Sequence, residues 1–286
     1  MGEAKVKIGD FEIGRGRTFV IAEAGINHNG DVDRAHTLID AAVAVGADAV
    51  KFQTFRADEL GSPHLARYEL PATAWPDLAA HAAQRRILFF STPFDVESVD
   101  LLDPLVPCFK IASGEIVNLP LLRHVASKGK PVILSTGMAT LDEILAAEMA
   151  LYTPGDSQIN DGLIALHCVS AYPAPVTETN LRAMQSLVGL FGRSHVGLSD
   201  HSLSAVIPAA AVALGAVVIE KHLTLDTKLD GPDHAMSLDV PRFAEMVRNI
   251  REVESALGDG VKRVMPSEEE TKRRARRDPS TGRRPS

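Results

Sequence analysis

The sequence predicts an α/β chain folded as a (β/α)8 (TIM) barrel, and three observations carry that prediction. Eight short, β-rich apolar runs recur about every 25–40 residues, separated by Ala- and Leu-rich stretches with helical spacing. The 286 residues suit one such barrel, which needs about 250. The first run is followed by Gly25-Ile26-Asn27-His28-Asn29-Gly30, which does not fit the Gly-rich phosphate turn of the rival doubly wound open sheet.

Residues 5–17 alternate in strand fashion around Gly9-Asp10, predicting a short N-terminal β-hairpin that plugs the N-terminal mouth of the barrel. Barrel strands are then expected over 19–23, 49–53, 87–91, 109–113, 132–135, 163–167, 196–199 and 217–221. Their runs are near-continuously apolar rather than alternating, as parallel strands covered on both faces require. A helix over 33–45 places Ala35, Leu38, Ile39, Ala42 and Val43 on one face, with Asp31 or Asp33 as its cap. Stretches 141–151, 181–190, 203–214 and 241–257 read likewise. After about Gly260 the periodicity ends and charge dominates. The expected organisation is a hairpin (1–17), a barrel (18–262) and a disordered basic C-terminal tail (263–286).

Composition excludes several classes. The net charge of −7 divides unevenly: residues 271–286 hold seven basic side chains against Asp278, a charge of +6, so residues 1–270 carry −13. An acidic body is not a general nucleic-acid binder, and only the tail is suited to polyanions. Apolar runs fall short of the ~18–20 residues of a membrane span. The charged start lacks the apolar segment of a secretory signal, so a cytoplasmic location is expected. Cys108 and Cys168 follow strand-like runs and read as buried thiols rather than a disulfide or a zinc pair.

Polar chemistry stands at the C-terminal end of nearly every expected strand, the rim on which barrels assemble active sites. A charged or hydroxylated group there costs free energy unless paired, so a full ring of them points to catalysis rather than stability. Lys51, Lys110 and Lys221 with Thr92, Ser113, Ser135 and Ser199 form a candidate anion cradle for a phosphate or phosphate-plus-carboxylate ligand. His201 and His222, at adjacent strand ends, suit two imidazoles on one divalent ion with positions open to substrate. Glu23 and Asp233 are candidate acid/base groups, with Asp95 and Asp200 weaker ones.

Ordered motifs across about residues 19–266 resemble the sialic acid (N-acetylneuraminate) synthase family. They include Ile21-Ala22-Glu23-Ala24-Gly25-Ile26-Asn27-His28-Asn29-Gly30, Val50-Lys51-Phe52-Gln53-Thr54, Leu166-His167-Cys168-Val169-Ser170-Ala171-Tyr172-Pro173 and Ile219-Glu220-Lys221-His222-Leu223-Thr224. The resemblance implies a barrel that condenses phosphoenolpyruvate with an N-acylated amino sugar to a nonulosonic acid. It implies a divalent metal, Mn²⁺ with Mg²⁺ or Co²⁺ as substitutes, on His201 and His222, and Glu23 and Asp233 as acid/base carboxylates. It also implies that Lys51, Thr92, Lys110, Ser113, Ser135 and Ser199 hold phosphoenolpyruvate, and that Gln53, Glu115 and Tyr172 line the site, Gln53 and Tyr172 facing the sugar. Ser170 stands where some members carry Asn. A homodimer is implied as well.

Full-length relatives continue past a Pro-Ser-Glu segment, here Pro266-Ser267-Glu268, into a small antifreeze-like domain that supplies an arginine to the N-acyl group. The expectation here is a barrel-only member, a shortened gene, or an enzyme whose acceptor needs no such arginine. Two other readings stay open: an aldolase using Lys51 or Lys110 as a Schiff-base nucleophile, and a non-catalytic barrel that binds phosphoenolpyruvate or sugar.

Overall fold

The computed structural model describes residues 6–14, 16–152, 162–192 and 195–284, so parts of the expected hairpin (1–5 and 15) and the last two tail residues lie outside the described residues. Strands β1 (Lys7–Ile8) and β2 (Phe11–Glu12) pair antiparallel as the expected hairpin. Val6, Ile8 and Ile13 are buried in the same hydrophobic core as the barrel, and the Phe11 ring packs 4.8 Å from that of Phe19.

The barrel strands are β3 (Phe19–Gly25), β4 (Ala49–Thr54), β5 (Leu88–Pro93), β6 (Phe109–Ile111), β7 (Val132–Ser135), β8 (Leu163–Cys168), β9 (Val196–Asp200) and β10 (Val218–Thr224). Hydrogen-bonded neighbours run β5-β4-β3-β10-β9-β8-β7-β6, all parallel, and β5 lies beside β6 where the barrel comes round. A two-residue strand, β11 (Leu238–Asp239), adds to β10 at the rim. Almost every strand residue is buried, which explains why the runs read as continuously apolar. The expected strand over 109–113 is shorter because Ser113–Glu115 winds into a 3₁₀ turn.

The helices are α1 (Val32–Ala44), α2 (Ala74–Gln84), α3 (Val96–Leu102), α4 (Leu119–Ala126), α5 (Leu141–Leu151), α6 (Ala183–Phe191), α7 (Ile207–Ala213) and α8 (Val240–Leu257). Asp31 rather than Asp33 caps α1, its side chain accepting from the Arg34 amide at 3.0 Å. Helix α7 starts later than its apolar run because Pro208 occupies the first turn, where a missing N–H costs nothing. Among the described residues no helix is long and apolar enough to cross a membrane.

The chain divides into two units, Met1–Glu254 and Ser255–Ser286. The second holds more local order than its composition suggests: a 3₁₀ turn over Pro266–Glu268 leads into α9 (Glu269–Ala275). Glu269 and Glu270 sit in the first turn of α9, and Lys272, Arg273 and Arg274 in its last, the arrangement that the helix dipole favours. No described residue of this unit is buried.

Candidate active site

Side chains alternate along a strand, so each barrel strand sends every second residue inward. On β10, Glu220 and His222 point into the rim while Lys221 points out toward the helices. The inward residues of β3, β4 and β10 meet first. The Lys51 ammonium lies 2.7 Å from the Glu23 carboxylate, 3.6 Å from that of Glu220, and donates to Thr92 Oγ1 at 3.0 Å. Lys110 donates to Ser135 Oγ at 2.7 Å and to the Ile111 carbonyl at 2.9 Å, and lies 3.8 Å from Glu220. Glu220 therefore stands between two lysines, accepts from Ser199 Oγ at 3.3 Å, and keeps one buried oxygen without a hydrogen-bond partner.

Burial sets the protonation of this group. It pushes the Glu23 carboxyl up to about 7, against the pull of Lys51. It pushes Glu220 up as well, but Lys110 and Lys51 outweigh it and hold that carboxyl below its ordinary range. Burial also lowers Lys110, whereas Glu220 and Glu23 more than compensate burial at Lys51 and raise it.

A hydroxyl wall adjoins the lysines. Ser113 Oγ is 3.2 Å from Cys168 Sγ, which also accepts the Gly137 N–H at 3.0 Å. Ser170 Oγ is buried and unpartnered. A Cβ on Gly137 would collide with both Ser113 and Ser170, so glycine is what lets the two hydroxyls converge there.

The His201 and His222 rings are 5.7 Å apart, and the Tyr172 ring packs against His201 at 4.3 Å, tilted by 41°. Nδ1 of His201 donates to the Val169 carbonyl at 2.7 Å, which fixes the tautomer and leaves the lone pair of Nε2 facing the interior near Ser199. His222 Nδ1 is buried without a hydrogen-bond partner, 3.9 Å from Asp233. Burial lowers both imidazoles, so both are neutral donors. Two oriented imidazoles with one orphaned nitrogen fit a divalent cation that leaves coordination positions open. Among the described residues no group of three or more His, Cys, Asp or Glu side chains is gathered to hold a metal by itself.

Asp233 reaches the site from the loop after β10. That loop is held down by Ser237, which donates to the Asp233 carbonyl, and by His234, which bonds Thr224 Oγ1 at 2.6 Å. Gly25, at φ +53, marks where the carboxyls meet: a Cβ there would touch Gln53, Glu23 and Asp233 at 3.3–3.4 Å. Gln53 donates to Glu23 at 3.0 Å. Burial raises the Asp233 carboxyl to about 6.

The structure thus brings together Glu23, Lys51, Gln53, Thr92, Lys110, Ser113, Ser135, Ser170, Tyr172, Ser199, His201, His222 and Asp233. It parts Lys221 from the expected anion cradle. That ammonium is sealed against Asp200 at 2.6 Å on the outer face of the sheet, because the pleat turns it away from Glu220 and His222. Asp200 is the partner in this structural pair. Asp95 caps α3, accepting from Ser98, and also binds the Arg56 amide. Glu115 is engaged by Asn118 at 2.8 Å, in the turn after β6. Two participants carried no assigned role in the sequence, Glu220 and Cys168. The signal for Glu220 was its spacing, two residues before His222 on one strand.

A cavity of about 500 Å³ opens beside these groups, lined by Gln53, Ser113, Ser170, Tyr172, His222 and Asp233 on its polar side. The model of the NeuB family matches residues 38–262. N,N'-diacetyllegionaminic acid synthase from Campylobacter jejuni is 46% identical over 274 residues, covering 88% of this chain and 81% of that protein. The solved N-acetylneuraminic acid (sialic acid) synthetase from Leptospira borgpetersenii serovar Hardjo-bovis superposes with a TM-score of 0.84 at 35% identity, covering 93% of this chain and 94% of the other. The spore coat polysaccharide biosynthesis protein SpsE of Bacillus subtilis gives 0.82 at 40% identity, covering 92% and 76%. A closed parallel barrel, a rim of buried ion pairs and likeness of this extent have one reading: the chain belongs to the NeuB family.

Proposed function

We propose that the chain condenses phosphoenolpyruvate with the aldehyde of an N-acylated amino sugar, giving a nonulosonic acid and inorganic phosphate. The observation that carries this reading is a cationic, hydroxyl-rich cradle and two imidazoles 5.7 Å apart gathered on one barrel rim, beside a cavity lined by Ser113, Ser170, Tyr172, His222 and Asp233. Synthases of such sugar acids among its relatives support it.

Lys51 and Lys110, with Thr92, Ser113, Ser135, Ser170 and Ser199, bind the phosphate and carboxylate of phosphoenolpyruvate through charge-assisted hydrogen bonds. An incoming dianion takes over contacts that Glu23 and Glu220 make in the free protein. This orients C3 of phosphoenolpyruvate toward the sugar aldehyde and supplies fixed positive charge along the reaction path. Gln53 and Tyr172 face the sugar. His201 and His222 would hold a divalent cation, assigned as Mn²⁺; when bound it supplies Lewis-acid polarisation of the aldehyde oxygen. After the carbon–carbon bond forms, water adds at C2 and the phosphate leaves with its bridging oxygen. Glu23 and Asp233, raised by burial toward neutrality, are suited to move the protons of these steps.

Phosphate release from phosphoenolpyruvate that depends on an N-acylated hexosamine tests the reaction. ¹⁸O placed in the bridge should appear in inorganic phosphate; label retained in the organic product overturns the proposal. The Schiff-base alternative has one observation in its favour, the lowering of Lys110 by burial. Borohydride trapping with pyruvate separates it from the synthase reading.

A further inference from the structure

Asp233 reaches the rim from a loop, whereas Glu23 stands on a barrel strand. The loop leaves β10 at Thr224 and returns beside it as β11, with Leu223 facing Leu238 and Thr224 facing Asp239. Asp233 lies inside it, just before a 3₁₀ turn over His234–Met236. Loops are more mobile than the strands they join. A shift of about 1 Å at a reacting group can lower a rate about a hundred-fold, so this carboxyl needs a tie to the rigid sheet.

The tie comes from the loop after β3. The buried Asn27 side chain divides its amide nitrogen between the Leu223 carbonyl, at 2.8 Å, and Ser237 Oγ, at 3.0 Å. Ser237 Oγ in turn donates to the Asp233 carbonyl at 2.6 Å. The Asn27 N–H bonds back to the Ala24 carbonyl at 2.9 Å, next to Glu23 on β3. Both carboxyls of the site are thereby referenced to one short segment, with Gly25 between them. A second strap crosses the same gap: Asn29 donates to the Asp230 carbonyl at 2.7 Å and bonds His234 at 3.3 Å. A Cβ on Gly231 would stand 2.7 Å from Asn29 Oδ1, so glycine is what lets this strap close.

Asn27 and Ser237 are not among the described residues lining the cavity. Asn27 Oδ1 is buried without a hydrogen-bond partner, which is a standing cost to stability. Packing does not explain that cost, whereas the two bonds donated by the same side chain do.

We propose that Asn27 is a positioning residue, acting through Ser237 to hold Asp233 in register with Glu23. This rests on the condensation reading above, in which the two carboxyls move protons.

Rates of phosphate release from phosphoenolpyruvate with an N-acylated hexosamine test it. Asn27→Ala and Ser237→Ala should each lower kcat about ten- to a hundred-fold. The double variant should lose no more than the worse single, because the two side chains act in series. Calorimetric affinity for phosphoenolpyruvate should stay unchanged, since Lys51 and Lys110 stand on other strands; a merely structural role would lower it together with kcat. In a chain carrying Asp233→Asn, read by single turnover, Ser237→Ala should have no further effect, because the carboxyl it positions is gone. Ser237→Ala removes a single oxygen, so the test stands even where Asn27→Ala does not fold. Unchanged kcat in Ser237→Ala, additive losses in the double variant, or an equal loss in the Asp233→Asn chain overturns this inference and leaves the condensation reading standing. No phosphate release by the unsubstituted chain with any acceptor overturns both.

Discussion

The Lys51 ammonium and the Glu23 carboxylate lie 2.7 Å apart with both side chains almost sealed from solvent, so neither can be removed without stranding the other. Replacing one partner of a charge-assisted contact costs about 1.5–3 kcal/mol. Lys51→Ala and Lys110→Ala should therefore each weaken phosphoenolpyruvate roughly ten- to a hundred-fold by calorimetric titration. Lys51→Ala should also destabilise the barrel more than the double variant with Glu23→Gln does, because the second change removes the stranded charge. Additive losses of stability in that cycle would show that the pair is not coupled.

Gly137→Ala should injure the same cradle by a different route. The added methyl collides with Ser113 and Ser170, and overpacking of this kind costs about 1–3 kcal/mol. Phosphoenolpyruvate affinity should fall while the secondary structure seen by circular dichroism stays intact. An unchanged dissociation constant would place the anion away from these hydroxyls.

The neutral imidazoles predict metal dependence. Chelator-treated protein should lose turnover and regain it with Mn²⁺, Mg²⁺ or Co²⁺ substituting. His222→Ala removes the buried nitrogen that lacks a partner, so it should weaken Mn²⁺ binding measured by calorimetry without lowering the denaturation midpoint. Full activity in excess chelator would refute the assignment.

A pH effect on stability should arise away from the site, at His28. Its ring is fully buried, its Nδ1 accepts the Gly30 N–H at 3.0 Å, and Nε2 has no partner. Burial, helped by Arg34, lowers its pKa from 6.5 to about 4. Between those values the unfolded chain binds a proton that the folded one does not. The contribution is therefore complete above about pH 6.5, declines as pH falls toward 4, and amounts to about 3 kcal/mol. Urea midpoints should drop more steeply over that window for the wild type than for His28→Asn, whose side-chain oxygen can still accept from Gly30. Parallel profiles would contradict the account.

The strands and the site's location were legible because parallel barrel strands are covered on both faces. They read as apolar runs, against which a polar residue at the strand end stands out. Glu23, Lys51, Lys110, His201 and His222 were all visible in this way. Helices α2, α3 and α4 were not assigned; α3 spans only seven residues, too few turns for a marked periodicity.

By itself the sequence determined which residues lie at the rim, but not which way each one faces. Lys51, Lys110 and Lys221 look equivalent as strand-end lysines. The pleat turns the first two inward onto Glu220 and the third outward onto Asp200, and a single residue of register decides between a substrate cradle and a structural ion pair. The apolar side of the cavity was hidden for a different reason. Ile26, Phe55, Phe94 and Met236 lie far apart in the chain, and only closure of the sheet in the order β5-β4-β3-β10 brings their loops to one side of the cavity.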